Sequence, residues 1–229
     1  SVYVHLDTRK SHYLKVLMDE IFGEANFKTE VIWYYRKYQM RATRTYTNNS
    51  ERLLWYVGSS QSDYVFNPIV VPLDKPKYLK RKKWDGDLAR IVNVRDKKGN
   101  LIYDEYTDEK VDDVWDIPFM GATSPERTGY PTQKPETILE RVIQAGSNPG
   151  DIVLDAFAGS GTTLVAAEKL GRRWVGIDCG KLAIYTIQKR MLNLRAETGN
   201  KGSLLKPKPF SLYNAGLYDF SKLKELSWD

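Results

Sequence analysis

Two carboxylates and two glycines set the chemistry open to this chain. In VLDAFAGSGTT, residues 153–163, an apolar run closes on Asp155 and gives way to Gly159 and Gly161, and Asp178 follows 19 residues after the first of these glycines. Glycines so spaced let backbone amides approach a ligand, while an acid at a strand end can accept hydroxyl protons or hold a cation. A Walker-type phosphate loop needs a lysine followed by Ser or Thr, where Thr162 and Thr163 stand, and a dinucleotide fingerprint needs a third glycine, where Leu164 stands. Asp155 discriminates further: in a poorly screened crevice it would repel a pyrophosphate and attract a positive charge.

S-adenosylmethionine fits these demands. It carries an ammonium and a sulfonium, has no phosphate, and offers a carboxylate to the amides at a helix N-terminus. Asp178 then stands close to where an acid takes ribose hydroxyls in this architecture. The plainer alternative is a structural strand-to-helix turn flanked by two surface acids.

The elements needed to place these groups are legible. Ile152, Val153 and Leu154 follow the turn Asn148-Pro149-Gly150 and predict a buried strand. Thr162 to Leu170 has helical spacing with Gly171 as its stop, and Trp174 to Ile177 predicts a second strand ending at Asp178. Before this unit, residues 135–146 form an apolar helical stripe (Ile138, Leu139, Val142, Ile143), with Pro135 at its first position. Further upstream, Val2 to Leu6, Glu30 to Tyr35 and Leu53 to Val57 predict strands. Ser11 to Phe22 predicts a helix with Tyr13, Leu14, Leu17, Met18 and Ile21 on its apolar stripe. Residues 181–194 predict a last helix, and 211–214 a strand. Only 51 residues follow Asp178, so the strands that complete an open α/β sheet must precede the glycine loop, and the two halves are in swapped order. From Val70 to about Asp116 the periodicity dissolves into an insertion, with a hairpin turn at Lys97-Lys98-Gly99-Asn100 and an acidic stretch from Asp104 that reads as a solvated face.

The chain has 229 residues, 41% hydrophobic and 28% charged, which is ordinary for a globular protein able to bury a sizeable core. It has no apolar run long enough for a membrane span and no signal peptide, and the single Cys179 excludes an internal disulfide framework, so a reducing cytoplasm is the expected compartment. His5, His12 and Cys179 are the only soft ligands, too few for a structural zinc site to be expected. The net charge of +6 is concentrated: residues 36–98 hold 15 Lys and Arg against 6 Asp and Glu, which leaves the remainder slightly acidic. Tyr38, Tyr46, Trp55, Tyr56, Tyr64, Tyr78 and Trp84 interleave with these cations, a pattern suited to nucleic-acid backbones and bases, or to a basic face over an aromatic core.

Together, TQKPETILERVI, GDIVLDAFAGSGTTLVAAEKLGRRWVGID, SVYVHLDTRKSHYLKVLMDEIFG and DVWDIP resemble the amino-group DNA methyltransferases of the N4-cytosine/N6-adenine type, in the permuted subgroup whose catalytic half precedes its cofactor half. Ala156 stands where the family usually has proline. The resemblance implies a doubly wound, Rossmann-like α/β methyltransferase fold. It divides the chain into catalytic-half elements over 1–35, a core strand near 53–57 with an inserted target-recognition region over 36–120, a cofactor-binding half over 121–195 and an extension over 196–229. It implies that Asp155, Phe157, Ala158, Gly159, Gly161 and Thr162 wrap S-adenosylmethionine, that Asp178 holds its ribose, and that Thr132, Gln133 and Lys134 lie beside its methionine end, where Lys134 would face the carboxylate. His5 and Asp7 end a strand near the crevice, with a core position the expectation for His5.

The family's catalytic tetrapeptide, Asp, Asn or Ser followed by two prolines and an aromatic, does not occur in the sequence; DIPF at Asp116 to Phe119 has one proline, in the wrong place. In the permuted order that motif belongs upstream of Ser1, so the chain is expected to be a fragment without its catalytic residues. The activity implied is methyl transfer to N6 of adenine in DNA, with N4 of cytosine or a noncatalytic DNA-binding module as alternatives. The implied partner is double-stranded DNA, contacted through Arg36, Lys37, Arg41, Arg44, Lys80, Arg81, Lys82 and Lys83. A cognate restriction endonuclease and a homodimer are further candidates that the sequence does not decide.

Overall fold

A computed structural model describes residues 1–36, 44–58 and 64–214. Strand β1 (Val2–Leu6) leads through helix α1 (Ser11–Phe22) to strands β2 (Phe27–Tyr34) and β3 (Ser50–Tyr56). Four strands follow outside the core, β4 (Val70–Lys80), β5 (Lys82–Asp85), β6 (Arg90–Asn93) and β7 (Tyr103–Lys110), before β8 (Val114–Asp116) returns to it. The remainder is α2 (Glu136–Gly146), β9 (Ile152–Asp155), α3 (Thr162–Lys169), β10 (Arg173–Gly176), α4 (Lys181–Leu192) and the hairpin of β11 (Arg195–Glu197) with β12 (Lys201–Leu204).

The first half is a sheet of order β1-β3-β2-β8, with β3 antiparallel to both neighbours and β8 parallel to β2. β3 is buried on both faces, which is why Leu53 to Val57 reads as a continuous apolar run. Leu53 joins Val31, Trp33, Tyr35, Trp115 and Ile117 on the face covered by Ile138 of α2, while Leu54 and Tyr56 pack against Met18 of α1 on the other. α1 meets the sheet along a different line from the expected stripe: Met18 is buried, whereas Tyr13, Leu17 and Ile21 are exposed. The helix packs by its Leu14, Met18 and Phe22 side, and the buried Tyr56 hydroxyl donates to Asp19 Oδ1 at 2.7 Å beside that contact.

The second half is the predicted strand–loop–helix–strand unit. β9 and β10 pair in parallel across the α3 crossover, with Val153 and Trp174 packed toward α2 and α3. Leu139 of α2 touches both the large sheet's core and the α3 cluster, so α2 ties the two halves together. β9 is a strand as expected but not a buried one: Ile152 and Leu154, with Val175 and Ile177 of the neighbouring segment, are exposed on the opposite face of β9–β10, because α2 and α3 cover only one side of the pair.

The insertion is ordered where periodicity gave nothing. β4 and β7 form a long antiparallel ribbon, and β5 and β6 form a hairpin beyond it. Both faces of the ribbon are largely exposed, so no apolar alternation marks its strands. Its cross-strand pairs are instead polar: Lys77 with Glu109, Tyr78 with Glu105, and Arg81 with Asp104. The acidic stretch is solvent-exposed, as expected, and is at the same time the partner strand of the basic one. The turn at residues 97–100 forms as expected, with Gly99 at φ +86° and Asp96 accepting from the Lys98 and Asn100 amides. Residues 211–214 are not a strand; the C-terminal pairing lies at β11–β12. Among the described residues no helix is long and apolar enough to cross a membrane.

Candidate cofactor crevice and nucleic-acid face

Gly159 and Gly161 adopt φ of +51° and +74°, a left-handed region that glycine enters without strain. They serve different purposes. At Gly159 an added Cβ would touch only the Tyr130 ring at 3.4 Å, whereas at Gly161 it would lie 2.7 Å from Ile187 Cγ1. Gly161 is thus required by the packing of α3 against α4. The two acids shape the loop: Asp155 Oδ1 accepts from the Phe157 amide at 3.0 Å, and Asp178 accepts from the Gly159 amide through Oδ2 (2.8 Å) and from the Gly180 amide through Oδ1 (2.7 Å). Each Asp178 oxygen keeps a lone pair for a further donor. A Cβ at Gly180 would come within 3.1 Å of Asp178 Oδ1, so the absent side chain leaves that oxygen open. Phe157 is 90% exposed beside these carboxylates, a ring with nothing over it among the described residues.

Three expected cofactor side chains are committed elsewhere. Ala158 is buried in the α3–α4 core. Thr162 is 4% exposed and shares its hydroxyl with Ser160, the Lys134 carbonyl and Arg190. Gln133 braces the loop before it, donating to the Glu126 carbonyl and accepting from Thr128 N and Oγ1. The Ala158 backbone is committed too, its amide donating to the Ile177 carbonyl at 3.0 Å and its carbonyl accepting from the Gly161 amide at 2.7 Å. Thr132 is exposed.

Lys134 reaches into the other half. Its Nζ lies 3.0 Å from Glu51 Oε2 on β3, and the same oxygen is 2.8 Å from His5 Nε2 on β1. Tyr35 donates to Glu51 Oε1 at 3.2 Å. Burial alone would raise the Glu51 carboxyl, but the close His5 imidazole nitrogen and the Lys134 charge outweigh it and hold the group down at about 2. His5 also sits edge-on to Trp33, so it is a sheet histidine with a partner at the junction of the halves. Asp7 accepts from the Arg9 and Lys10 amides in the turn before α1.

Sequence reasoning missed Glu51, Glu126 and Arg190. Arg190, on α4, donates to the Ser160 carbonyl at 3.0 Å and Thr162 Oγ1 at 2.8 Å, gripping the glycine loop from behind. Burial lowers its affinity for the proton, and the charges of Glu136 and Glu126 oppose that. Glu126 Oε1 accepts from the Glu136 amide at 2.6 Å and so caps α2 from ten residues upstream, a separation that a search for local caps passes over. In sequence these three are ordinary charged residues, and only the fold gives them partners.

Of the expected DNA contacts, Lys37 and Arg41 lie outside the described residues, as does Tyr38. Arg36 and Arg44 are exposed beside the β2–β3 connection. Lys80, Lys82 and Lys83 are exposed and form no ion pair among the described residues, but Arg81 is bound to Asp104 across the ribbon and serves as its strut. The aromatic residues separate likewise. Trp55 and Tyr56 are core, Tyr64 packs edge-on against Trp55, and Tyr46, Tyr78 and Trp84 are exposed.

A family model described as DNA methylase matches residues 1–189. The chain belongs to this DNA methylase family. It is 31% identical over 179 residues to the DNA adenine methyltransferase YhdJ of Escherichia coli (strain K12), covering 78% of this chain and 55% of that protein. It is 28% identical over 259 residues to the type II methyltransferase M.EcaI of Enterobacter cloacae, covering 87% of this chain and 55% of the relative. The chain thus spans about half the length of these two curated relatives. The crystal structure of an M1.HpyAVI–SAM complex superposes with a TM-score of 0.53 at 26% identity, over 82% of this chain and 72% of that one. The fold of this family member is accordingly the Rossmann-like α/β fold of S-adenosylmethionine-dependent methyltransferases.

Proposed function

We propose that this chain carries the cofactor crevice and DNA-reading ribbon of a methyltransferase that acts on N6 of adenine in duplex DNA. The observation that carries the reading is the crevice at the ends of β9 and β10, where the Asp155 and Asp178 carboxylates, held in place by the Phe157, Gly159 and Gly180 amides, lie beside the exposed Phe157 ring. This donor set suits S-adenosylmethionine: Asp178 toward ribose hydroxyls, Phe157 along the adenosine, and the amides at the start of α3 toward the carboxylate. When bound, S-adenosylmethionine supplies an electrophilic methyl on its sulfonium. The chain's own residues hold that methyl in place, exclude polyphosphates through Asp155 and grip DNA, so positioning is their contribution to rate. Lys134 is placed to serve the methionine carboxylate only by turning from Glu51.

Adenine is favoured over cytosine by the 31% identity to a relative named as a DNA adenine methyltransferase. The type II names among the relatives support a modification role alongside a cognate endonuclease. The deciding experiment is tritium transfer from labelled S-adenosylmethionine to plasmid DNA by the full-length protein, followed by nucleoside analysis. Label in N6-methyladenine is expected; label confined to RNA or a small molecule, or none in DNA, refutes the reading.

A further inference from the structure

We propose that the β5–β6 hairpin is the base-reading tip of the DNA face, and that strand alternation assigns its adjacent lysines opposite tasks: Lys82, with Trp84, Ile91 and Asn93, meets base edges in the major groove, while Lys83 and Arg90 meet phosphates. This rests on the reading that the protein acts on DNA. The register pairs Lys82 with Asn93 and Trp84 with Ile91, which puts these four side chains on one face, and pairs Lys83 with Val92 and Asp85 with Arg90 on the other. All four residues of the first face are exposed, with Trp84 at 66% and Ile91 at 64%. On the second face Val92 and Asp85 are half-buried, and the Asp85 carboxylate is occupied by the Asp87 and Leu88 amides of the turn.

An apolar pair this open on a two-stranded projection calls for an occupant, and Lys82, Lys83 and Arg90 around it, which form no ion pair among the described residues, make that occupant a polyanion. A two-stranded ribbon fits the major groove of B-form DNA, where each kind of side chain on the open face has a counterpart. Asn93 can take adenine N6 and N7 together, Lys82 can donate to guanine N7 and O6, and Trp84 with Ile91 can lie against a thymine methyl. Lys83 and Arg90, turned away from the bases, are left with the backbone, where contacts carry charge but no sequence information.

The test compares binding of the full-length protein to its cognate duplex, identified by sequencing methylated DNA, and to a scrambled duplex over a range of salt. Lys83→Ala should weaken both duplexes by a similar factor and flatten the salt slope by about one. Asn93→Ala and Trp84→Ala should weaken the cognate duplex by about tenfold, leave the scrambled one nearly unchanged and keep the slope, with circular dichroism confirming the fold. Lys82→Ala should lose discrimination as Asn93→Ala does. Equal effects of Lys82→Ala and Lys83→Ala, or loss of both duplexes in Trp84→Ala, would overturn the assignment, as would Trp84→Ala and Asn93→Ala that bind like the wild type, which would leave the apolar pair to a protein partner. A wild-type protein that never labels DNA would refute the function reading itself, which separates the two failures.

Discussion

Glu51 is the sharpest place to test the account electrostatically, because its carboxylate joins the two halves and its side chain is only 17% exposed. Glu51→Gln keeps the shape and the acceptor but removes the charge that faces Lys134 and His5. The folded carboxyl lies at about 2 against an ordinary 4.5, so the unfolded chain binds more protons between those values. The stabilisation is therefore complete above about pH 4.5 and is lost as pH falls through about 2. A gap of that size corresponds to about 3 kcal/mol at pH 7, an upper figure because water still reaches part of the carboxylate. In urea unfolding followed by tryptophan fluorescence, Glu51→Gln should be less stable than the wild type by up to about 3 kcal/mol at pH 7 and by about half as much at pH 3. A deficit that stays constant from pH 7 to 3 would show that Glu51 acts through packing, and the ion-pair argument would be refuted.

Gly161→Ala should cost about 2–5 kcal/mol, combining a left-handed conformation with a Cβ 2.7 Å from Ile187 Cγ1. Adding Ile187→Ala should destabilise less than the sum of the two single changes, as urea midpoints will show. Burial raises the Glu126 carboxyl, with the Glu136 amide bond opposing it, so the folded state holds this proton more tightly and the group adds stability only as pH falls. Glu126→Gln should accordingly match or exceed wild-type stability at pH 8, whereas Glu126→Ala should lose about 1–2 kcal/mol with the cap on the Glu136 amide. Asp178→Asn should weaken S-adenosylhomocysteine binding about 10- to 100-fold in calorimetry, through lost charge-assisted hydrogen bonds, and should also lower the melting temperature, because the new NH2 must face one of the two backbone amides, of Gly159 and Gly180, that the carboxylate accepts. Retained affinity would remove Asp178 from the ribose site.

Sequence reasoning succeeded where one face of an element is buried and failed where burial is shared or absent. Ile152 to Asp155, Thr162 to Lys169 and Trp174 to Gly176 were legible because a parallel strand, a packed helix and a glycine corner each leave a strong local mark. The ribbon left none. Its strands are held by lysine–glutamate, tyrosine–glutamate and arginine–aspartate pairs between segments some 23 to 32 residues apart, and pairing over that distance has no local period. α1 shows a subtler miss: its sequence carries apolar residues over a wider arc than the sheet covers, so periodicity alone did not tell the buried Met18 from the exposed Tyr13, Leu17 and Ile21.

Lys134 shows the same limit at the site and gives the junction its meaning. Its place before α2 was enough to set it near the glycine loop, and its carbonyl does accept from Thr162 at the start of α3. Its ammonium nevertheless goes to Glu51, because a lone cation over the Trp33 ring, 6.0 Å from its centroid, gains far more from a partly buried carboxylate than from solvent. One residue thus touches the cofactor half through its backbone and the large sheet through its side chain. A ligand carboxylate at the start of α3 would compete with Glu51 for that ammonium. If the cofactor carboxylate is that ligand, its binding and the alignment of the two halves would be coupled through a single side chain, and Glu51→Gln, by releasing Lys134, should tighten S-adenosylhomocysteine binding while it loosens the fold. Calorimetry that finds both weakened would mean that Glu51 instead holds Lys134 in position for the cofactor.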